Sequence, residues 1–365
     1  MKLSAAREAL LKPLQAVIGV VERRQTMPIL ANVLLVAKNG QLSITATDLE
    51  VELVATANVE IDNGGEVTVP GRKLLDICRA LPEGAKISIN QTGEKLLVRS
   101  GRSRFSLTTL PAAEFPTVDD IDATQSIDVP QSTLIRLLDK THFSMAQQDV
   151  RYYLNGLLLE TGDKYLRAVA TDGHRLALCQ QELSGPKLKQ QQVIVPRKGV
   201  LELQRLLDGE GAVTLQLGSN HVRIQLDTIR FTSKLIDGRF PEYERVIPQD
   251  TSNKLSADRA SLKGALQRTA ILSNEKYRGI RLLIRDSGVT IQAHNPEQEE
   301  AEEELEVEYS GEDIEIGFNV NYLLDALNAI EADKVTVSVQ DSNSSCLLRE
   351  PDSDDCRFVV MPMRL

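Results

Sequence analysis

The chain has 365 residues, 42% of them hydrophobic, which is enough to bury two or three cores. No apolar run reaches the roughly 18 residues of a membrane span, and Arg7, Glu8 and Lys12 interrupt any signal-peptide core, so we expect a cytoplasmic protein. The net charge of −10 does not exclude binding to nucleic acid, because binding depends on which surface the basic residues face and not on the total charge of the chain.

Three sections of the chain begin with the same predicted elements, a short strand followed by a helix with apolar residues at helical spacing. We expect Pro13 to kink or shorten the first helix. Strands follow each helix, and Asn39-Gly40 predicts a hairpin turn between two of them. The apolar helix positions are Leu10, Leu11, Leu14, Val17 and Ile18, then Leu134, Leu137 and Leu138, then Leu262, Leu266 and Ile271.

The second half of each section repeats the order of the first. A further strand, ending at Val69, Val195 or Phe318, leads into a second helix, predicted over residues 73–81, 199–207 and 322–330, and three more strands follow. The sequence therefore predicts an α+β fold in which each section is strand, helix and three strands, taken twice.

Short motifs show that the sections are copies of one unit. Ala46-Thr47-Asp48, Ala170-Thr171-Asp172 and the more diverged Ala293-His294-Asn295 recur at a step of roughly 125 residues. Lys2-Leu3-Ser4-Ala5 returns unchanged as Lys254-Leu255-Ser256-Ala257, two steps later, and Arg-Phe pairs start at positions 104, 230 and 357. We predict three tandem domains, 1–125, 126–253 and 254–365, with polar linkers at 116–128 and 248–253.

The sequence predicts no metal and no cofactor. Cys78, Cys179, Cys346 and Cys356 have no CxxC or metal spacing, so we interpret them as buried thiols in a reducing cytoplasm. The chain lacks GxxxxGK(S/T) and GxGxxG phosphate loops, and the carboxylates at 297–304 lack EF-hand spacing.

Asp172 and His174 are the only candidates for an acid/base pair, and they define the alternative function, a hydrolase or transferase. No GxSxG elbow or Cys/His signature supplies a nucleophile. Leu49 and Pro296 replace Gly173 in the other two copies. We therefore predict no catalytic residue and place His174 at a turn or at the edge of a pocket.

Basic residues recur at matching positions of the copies, with Arg72 and Arg79 on or near the second helix of copy one and Arg197 and Lys198 on that of copy two. Such residues usually only solvate a surface, but their recurrence supports a face that meets phosphates without reading bases. Spacing alone leaves both interpretations open.

The charge and the terminus of the third copy differ from the rest. Residues 1–253 contain 30 Lys+Arg and 30 Asp+Glu, whereas residues 254–365 contain 12 and 22, which indicates a solvated acidic face or an electrostatic partner surface. Phe358 to Val360 suit a final core strand. Met361, Pro362 and Met363 suit an adaptable groove for apolar peptides.

Together these features resemble the bacterial DNA polymerase III β subunit, the replicative sliding clamp family. The resemblance covers the full length, and Gln147 is a departure, since a well-studied relative has histidine there. The runs that carry the resemblance are SGRSRFSL (100–107), QDVRYYLNG (148–156), VATDGHRLA (169–177), VIVPRKGV (193–200), ILSNEK (271–276), NPEQEEAEE (295–303) and the terminal VVMPMRL.

The resemblance implies a non-catalytic processivity factor built from three DNA-clamp domains per chain. Two chains would form a head-to-tail ring with sheets outside and helices lining a hole for duplex DNA. Twelve helices ~9 Å apart make a circle ~34 Å across, and subtracting a helix diameter of ~10 Å leaves room for the duplex. Its partners would be the replicative polymerase, the clamp loader, and other DNA polymerases and repair proteins.

The resemblance also assigns three sets of site residues. DNA contacts are implied at Arg24, Arg72, Arg79, Gln148, Tyr152, Tyr153, Arg197 and Lys198. A groove for partner peptides is implied at Leu154, Thr171, Gly173, His174, Arg175, Leu176, Pro241, Arg245, Val246, Ser345, Val359, Val360, Met361, Pro362, Met363 and Arg364. The dimer interface is implied at Lys73, Arg102, Arg104 and Phe105 of one subunit and Ile271, Leu272, Glu297, Glu299 and Glu303 of the other.

Overall fold

The computed structural model describes residues 1–21, 27–118, 120–248 and 253–364. The chain divides into two compact units, Met1–Ser132 with Lys198–Leu235 and Thr133–Arg197 with Ile236–Leu365. The middle copy of the repeat therefore contributes to both units. No helix in the described ranges is long and apolar enough to cross a membrane.

The first unit contains two antiparallel sheets. The smaller, five-stranded sheet has the order β5 (Glu60–Asn63), β1 (Lys2–Ala6), β7 (Lys86–Thr92), β8 (Lys95–Ser100) and β9 (Ser103–Thr108). The larger, eight-stranded sheet has the order β10 (Ala123–Pro130), β15 (Ala212–Gly218), β16 (His221–Gln225), β17 (Ile229–Lys234), β4 (Val51–Asn58), β3 (Gln41–Thr47), β2 (Asn32–Lys38) and β6 (Gly65–Pro70). The pairing of β17 with β4 joins the middle copy to the first.

The second unit repeats this design. Its eight-stranded sheet has the order β14 (Leu188–Pro196), β11 (Gly156–Asp163), β12 (Tyr165–Thr171), β13 (Arg175–Glu182), β25 (Cys356–Val360), β24 (Cys346–Arg349), β23 (Lys334–Val339) and β18 (Lys254–Asp258). Its four-stranded sheet has the order β21 (Glu300–Glu306), β20 (Gly288–His294), β19 (Gly279–Arg285) and β22 (Ile314–Asn319).

Six α-helices occur in the described part of the chain. They are α1 (Arg7–Val17), α2 (Gly71–Ala80), α3 (Gln131–Asp139), α4 (Arg197–Leu206), α5 (Arg259–Thr269) and α6 (Val320–Ala329). Asp258 caps α5, since its side chain accepts a hydrogen bond from Ser261 N (2.7 Å). Asn319 caps α6 in the same way through Asn321 N (2.9 Å).

The predicted order of elements is confirmed, with one extra strand, β5, in the first copy. The second helix of each copy begins two residues earlier than predicted. Pro13 was predicted to kink or shorten α1, and it does not shorten the helix. This helix runs through Pro13 and has 11 residues, as α5 does, because Leu10, Leu14 and Val17 are buried on both sides of the proline. Asn39 (φ 52°) and Gly40 (φ 76°) form the predicted hairpin turn.

The thiol prediction is half correct. Cys78 and Cys346 are free and buried, and burial raises the pKa of Cys78 to about 11 and that of Cys346 to about 12. Cys179 and Cys356, however, form a disulfide. They lie directly opposite each other on β13 and β25, a proximity that depends on strand register and is invisible in their sequence spacing.

Candidate functional site

The motif Thr171 to Arg175 forms a tight turn between β12 and β13. Thr171 Oγ1 donates to Arg175 O (2.7 Å) and accepts from Gly173 N (3.1 Å). Asp172 Oδ1 accepts from His174 N (2.9 Å) and Arg175 N (3.0 Å). Gly173 has a φ of +87°, which glycine adopts without steric cost. The Asp172 side chain therefore serves to hold the backbone of the turn.

The equivalent turn in the first unit has the same bonds. Thr47 Oγ1 donates to Val51 O (2.9 Å), and Asp48 Oδ1 accepts from Glu50 N (2.9 Å) and Val51 N (2.7 Å). Leu49 takes the place of Gly173 with a φ of +78°. Because both copies use their aspartate for the same backbone bonds, the motif marks a turn and not a catalytic pair.

The side chains of Arg175 and His174 continue this structural role. Arg175 Nε donates to Asp172 Oδ2 (3.1 Å), its Nη2 to Phe143 O (2.7 Å), and its Nη1 pairs with Asp325. Its guanidinium stacks 4.6 Å from the centroid of the Tyr322 ring, and the His174 ring lies nearly parallel to Tyr322 at 6.5 Å. This geometry does not support the alternative of a hydrolase or transferase.

A groove of about 520 Å³ opens beside this turn, within the second unit. Predicted residues that line it are Leu154, Thr171, Gly173, Arg175, Leu176, Pro241, Arg245, Val246, Ser345, Val359 and Met361. Lining residues that the sequence did not reveal are Arg151, Tyr153, Glu242, Tyr243, Ile247, Pro248, Gln340 and Ser344. Of these, Tyr153 was predicted as a DNA contact, and the structure puts it in the groove lining.

The remaining predicted groove residues lie around or away from this cavity. Val360 follows Val359 on β25, so strand alternation turns its side chain to the opposite face of the sheet, and it does not line this cavity. The backbone carbonyl of His174 accepts from Met361 N (2.9 Å), at the rim. Met363 and Arg364 line a second cavity of about 400 Å³, and Pro362 lines neither of the two.

Two backbone hydrogen bonds hold the C-terminal segment. Met361 N donates to His174 O and Met363 N to Gly317 O, each at 2.9 Å. The Met361 side chain is nevertheless 50% exposed. The backbone is therefore fixed while a flexible thioether side chain remains free to adapt to a ligand.

Arg151 is one of the charged residues that line the groove. Its Nε donates to Asp149 Oδ1 (3.0 Å) and its Nη2 to Asp149 Oδ2 (2.9 Å), and these bonds lower the pKa of Asp149 to about 2. Both terminal nitrogens of Arg151 would lie 3.0 Å from a Cβ at position 173. Glycine at 173 thus provides both the turn and the space for this guanidinium.

The predicted DNA contacts differ in how freely they can reach a phosphate. Arg79 is exposed, and its Nη1 makes a long contact of 3.9 Å with Asp76 Oδ1. Gln148 and Tyr152 are also exposed. Arg72 Nη2 instead donates to Val21 O (2.7 Å), and Lys198 Nζ pairs with the buried carboxylate of Asp48. The Nη1 atom of Arg197 is buried without a hydrogen-bond partner among the described atoms. Arg24 lies outside the described residues.

Several members of the two predicted interface sets lie on edge strands. Arg104 and Phe105 belong to β9, the edge of the five-stranded sheet, and Glu303 belongs to β21, the edge of the four-stranded sheet. Ile271 is 74% exposed, and Leu272 is half-buried. Other exposed members are Lys73, Arg102, Glu297 and Glu299.

Glu303 also has a partner within the chain. Arg268 Nη2 donates to Glu303 Oε2 (2.7 Å) and Arg268 Nε to Oε1, and this bidentate pair lowers the pKa of Glu303. In the described residues no group of His, Cys, Asp and Glu side chains is arranged to hold a metal ion.

Comparison with known proteins identifies the family. Models of the DNA polymerase III beta subunit match residues 1–119 with its N-terminal domain, 128–242 with its central domain and 244–364 with its C-terminal domain. The chain belongs to the DNA polymerase III beta subunit family. It is accordingly a non-catalytic processivity factor with three clamp domains, as the resemblance implied.

Individual relatives in this family are similar over their full length. The beta sliding clamps of Pseudomonas aeruginosa and Escherichia coli are 57% and 54% identical over 367 residues, covering 100% of both chains. The crystal structure of the Pseudomonas aeruginosa clamp bound to griselimycin matches with a TM-score of 0.97 at 57% identity. Caulobacter crescentus pol III beta matches with a TM-score of 0.96 at 42% identity, and both structures are covered completely.

Proposed function

We propose that two copies of this chain associate head to tail into a closed ring that encircles duplex DNA, slides along it and tethers replication proteins. The observation that carries the proposal is that β9 and β21 are edge strands, each with one side unpaired among the described residues. The equivalent strands in the other halves of the repeats pair with one another inside the chain.

The repeat makes the pairing rule explicit. The third strand of a first half pairs with the third strand of a second half twice within the chain, β4 with β17 and β13 with β25. The strands left over are β21, from the third copy, and β9, from the first copy. Pairing β21 of one chain with β9 of another would extend the same rule. Two such heterologous contacts close a ring of two subunits if the rotation is right.

Charge and apolar surface favour the same contact. The proposed set around β9 is basic, with Arg102 and Arg104 exposed at this edge, whereas the set around β21 is acidic, with Glu297 and Glu299 exposed just before that strand. Ile271 contributes an exposed apolar side chain. Opposite charges around an apolar centre are typical of specific interfaces, and they account for the acidity of the third copy.

For DNA, we propose weak contacts without sequence specificity, made chiefly by Arg79, Gln148 and Tyr152. These side chains are exposed, whereas Lys198 must first leave the Asp48 carboxylate. Contacts to phosphates alone suit a ring that slides. The full proposed set also includes Arg24, Arg72, Tyr153 and Arg197.

For proteins, we propose that the groove binds a short apolar peptide from each partner. The partners are the polymerase catalytic subunit, the clamp loader, and other DNA polymerases and repair proteins. Leu154, Leu176, Val246 and Val359 supply apolar surface, and Met361 can repack around different ligands. We also propose that this chain binds griselimycin, as the Pseudomonas aeruginosa relative does.

We further propose that the protein acts in the cytoplasm and that its domains span residues 1–125, 126–253 and 254–365. The decisive experiment for the ring is the solution mass, measured by analytical ultracentrifugation. The wild type should have a mass twice the 40.3 kDa of one chain. The double variant Ile271→Ala/Leu272→Ala should have the mass of a monomer. A wild-type monomer, or a variant that stays dimeric at low concentration, would contradict the proposed interface.

A further inference from the structure

Residues 241–248, here called the wall, form one side of the groove. Pro241, Tyr243, Val246 and Pro248 all line the cavity. The backbone hydrogen bonds that the described residues show in the wall are local, from Tyr243 N to Pro241 O (2.7 Å) and from Arg245 N to Glu242 O (3.2 Å). Side chains must therefore fix the wall on the sheet beneath it.

Two rows of residues cross the sheet below the wall. The first row is apolar, with Ile194, Leu158, Val169 and Leu178 opposite one another on four strands, and it packs against Phe240 and Tyr243. The second row lies one pleat further along the same face and is polar, with members Gln192, Glu160, Arg167 and Gln180.

Tyr243 connects the wall to the polar row. It is 5% exposed, and its hydroxyl donates to Glu160 Oε2 (3.0 Å) and accepts from Arg167 Nη1 (2.6 Å). Burial, opposed by the Arg167 hydrogen bond, raises the pKa of Tyr243, so the hydroxyl keeps its proton. Ring and hydroxyl together make Tyr243 the main attachment of the wall, beside a longer contact of Arg167 Nη1 with Glu244 Oε1 (3.5 Å) and the packing of Ile247 on the apolar row.

Glu160 is the centre of this attachment. Only 3% of the residue is exposed, yet both oxygens are satisfied, Oε1 by Tyr165 OH (2.8 Å) and Arg167 Nη1 (3.1 Å), and Oε2 by Gln192 Nε2 (2.6 Å) and Tyr243 OH. A buried carboxylate with four donors is held rigidly, because each of its oxygens is bound by two groups, which lie on neighbouring strands or on the wall.

The wall has space beside it. Another cavity, of about 410 Å³, shares the wall residues Tyr243, Ile247 and Pro248 with the groove and is also lined by Arg167 and Leu347. The wall thus borders two cavities and could move into this one if its attachment were removed.

We propose that Glu160 is a positioning residue for the peptide groove, which holds the wall at its binding position through the Tyr243 hydroxyl. This inference rests on the proposed peptide site. Glu160 does not line the groove itself, so its effect on binding passes through the wall, directly by Tyr243 and more weakly by Arg167, whose Nη1 lies 3.5 Å from Glu244 Oε1.

The test uses the full chain and a fluorescein-labelled five-residue peptide of leucine and phenylalanine, followed by fluorescence anisotropy. Tyr243→Phe keeps the ring but removes both hydroxyl bonds, and it should raise the peptide Kd ~3- to 10-fold. Glu160→Gln should raise the Kd in the wild-type background and have a much smaller effect in the Tyr243→Phe background. An equal effect of Glu160→Gln in both backgrounds would overturn the proposal.

Tyr165→Phe is the matched control, because it removes a donor to the same carboxylate, and the hydroxyl that it removes bonds to Glu160 and not to the wall. It should lower the melting temperature but leave the peptide Kd unchanged. A Tyr243→Phe Kd equal to that of the wild type would likewise overturn the proposal.

Amide hydrogen exchange of residues 242–247, measured without peptide, tests the wall independently of the proposed function. Exchange should accelerate in Tyr243→Phe and Glu160→Gln but not in Tyr165→Phe, and equal exchange in all would refute the positioning role. If the wild type bound no peptide, or if deletion of Met361 to Leu365 left binding intact, the proposed groove function would fail while this exchange result would still stand.

Discussion

Phe231 on β17 lies directly opposite Leu53 on β4, and this pair sets the register in which one copy of the repeat joins the next. Phe358 and Ala177 form the equivalent pair between β25 and β13. The third phenylalanine of the set, Phe105 on the free edge of β9, has no such partner within the described chain. In the proposed dimer the same register places Phe105 of one subunit opposite Ala301 of the other subunit.

A cross-linking experiment tests this register. Two residues along from the pair of Phe105 and Ala301, Ser103 of one subunit would lie opposite Glu303 of the other. This pair is equivalent to Cys179 and Cys356, which lie opposite each other in the second unit and form a disulfide. The double variant Ser103→Cys/Glu303→Cys should form intersubunit disulfides and migrate as a covalent dimer on non-reducing gels. The control Ser103→Cys/Glu302→Cys directs one thiol to the other sheet face and should not cross-link. Equal cross-linking of both variants would rule out the proposed register.

The turn before β13 predicts different effects for two matched substitutions. Gly173→Ala adds a Cβ at a φ of +87° and beside the Arg151 guanidinium, so it should lower the free energy of unfolding by about 1 kcal/mol or more. Leu49→Gly relieves the same strain at +78° and should change stability by less than about 1 kcal/mol in either direction. Urea denaturation measures both. A larger loss for Leu49→Gly than for Gly173→Ala would mean that the two turns are not equivalent.

The ion pair of Asp149 and Arg151 predicts a pH dependence. Hydrogen bonds from Arg151 lower the folded-state pKa of Asp149 to about 2, below the ~3.9 of an unfolded aspartate. The stabilising contribution is therefore fully present above about pH 4 and disappears as the pH falls toward 2. The melting-temperature difference between wild type and Asp149→Asn should shrink over that window, and Arg151→Gln should behave like Asp149→Asn. A difference that stayed constant from pH 6 to pH 2 would show that the pair does not contribute.

The DNA face predicts a change in salt dependence. Removing one phosphate-binding side chain should reduce the slope of log affinity against log salt by ~0.9. Arg79→Gln should therefore flatten the slope by about that amount in an anisotropy titration with duplex DNA. Arg285→Gln, at an exposed arginine on β19 outside the proposed DNA set, serves as the control. If the two variants had equal slopes, the DNA would bind elsewhere.

The sequence predicted what recurs along the chain and missed what depends on register. The Ala-Thr-Asp motif located equivalent turns, and helical spacing located the six helices of the described residues. The second helices begin two residues earlier than predicted, and in α2 and α4 the reason is that the first turn carries few apolar residues. The attachment of Tyr243 was not predictable, because Glu160 and Arg167 lie on separate strands and become neighbours only when β11 and β12 pair. The division of the middle copy between two units and the Cys179–Cys356 bond depend on pairing between copies in the same way.

Groove residues illustrate the same limit on a smaller scale. Val359 and Val360 are adjacent in an apolar run, and the run alone does not tell which one faces the groove. The pairing of β25 with β13 decides it, since Leu176 lies opposite Val359 and both line the cavity.

The central claim, a ring that holds DNA by enclosure, is tested most directly by retention on DNA of different topology. The protein is loaded onto a nicked circular plasmid by a clamp loader, separated from free protein by gel filtration, and filtered again after a restriction enzyme linearises the plasmid. The proposed ring should stay with the circle and leave the linear DNA, whereas equal retention on both forms would show that it binds DNA by contacts alone.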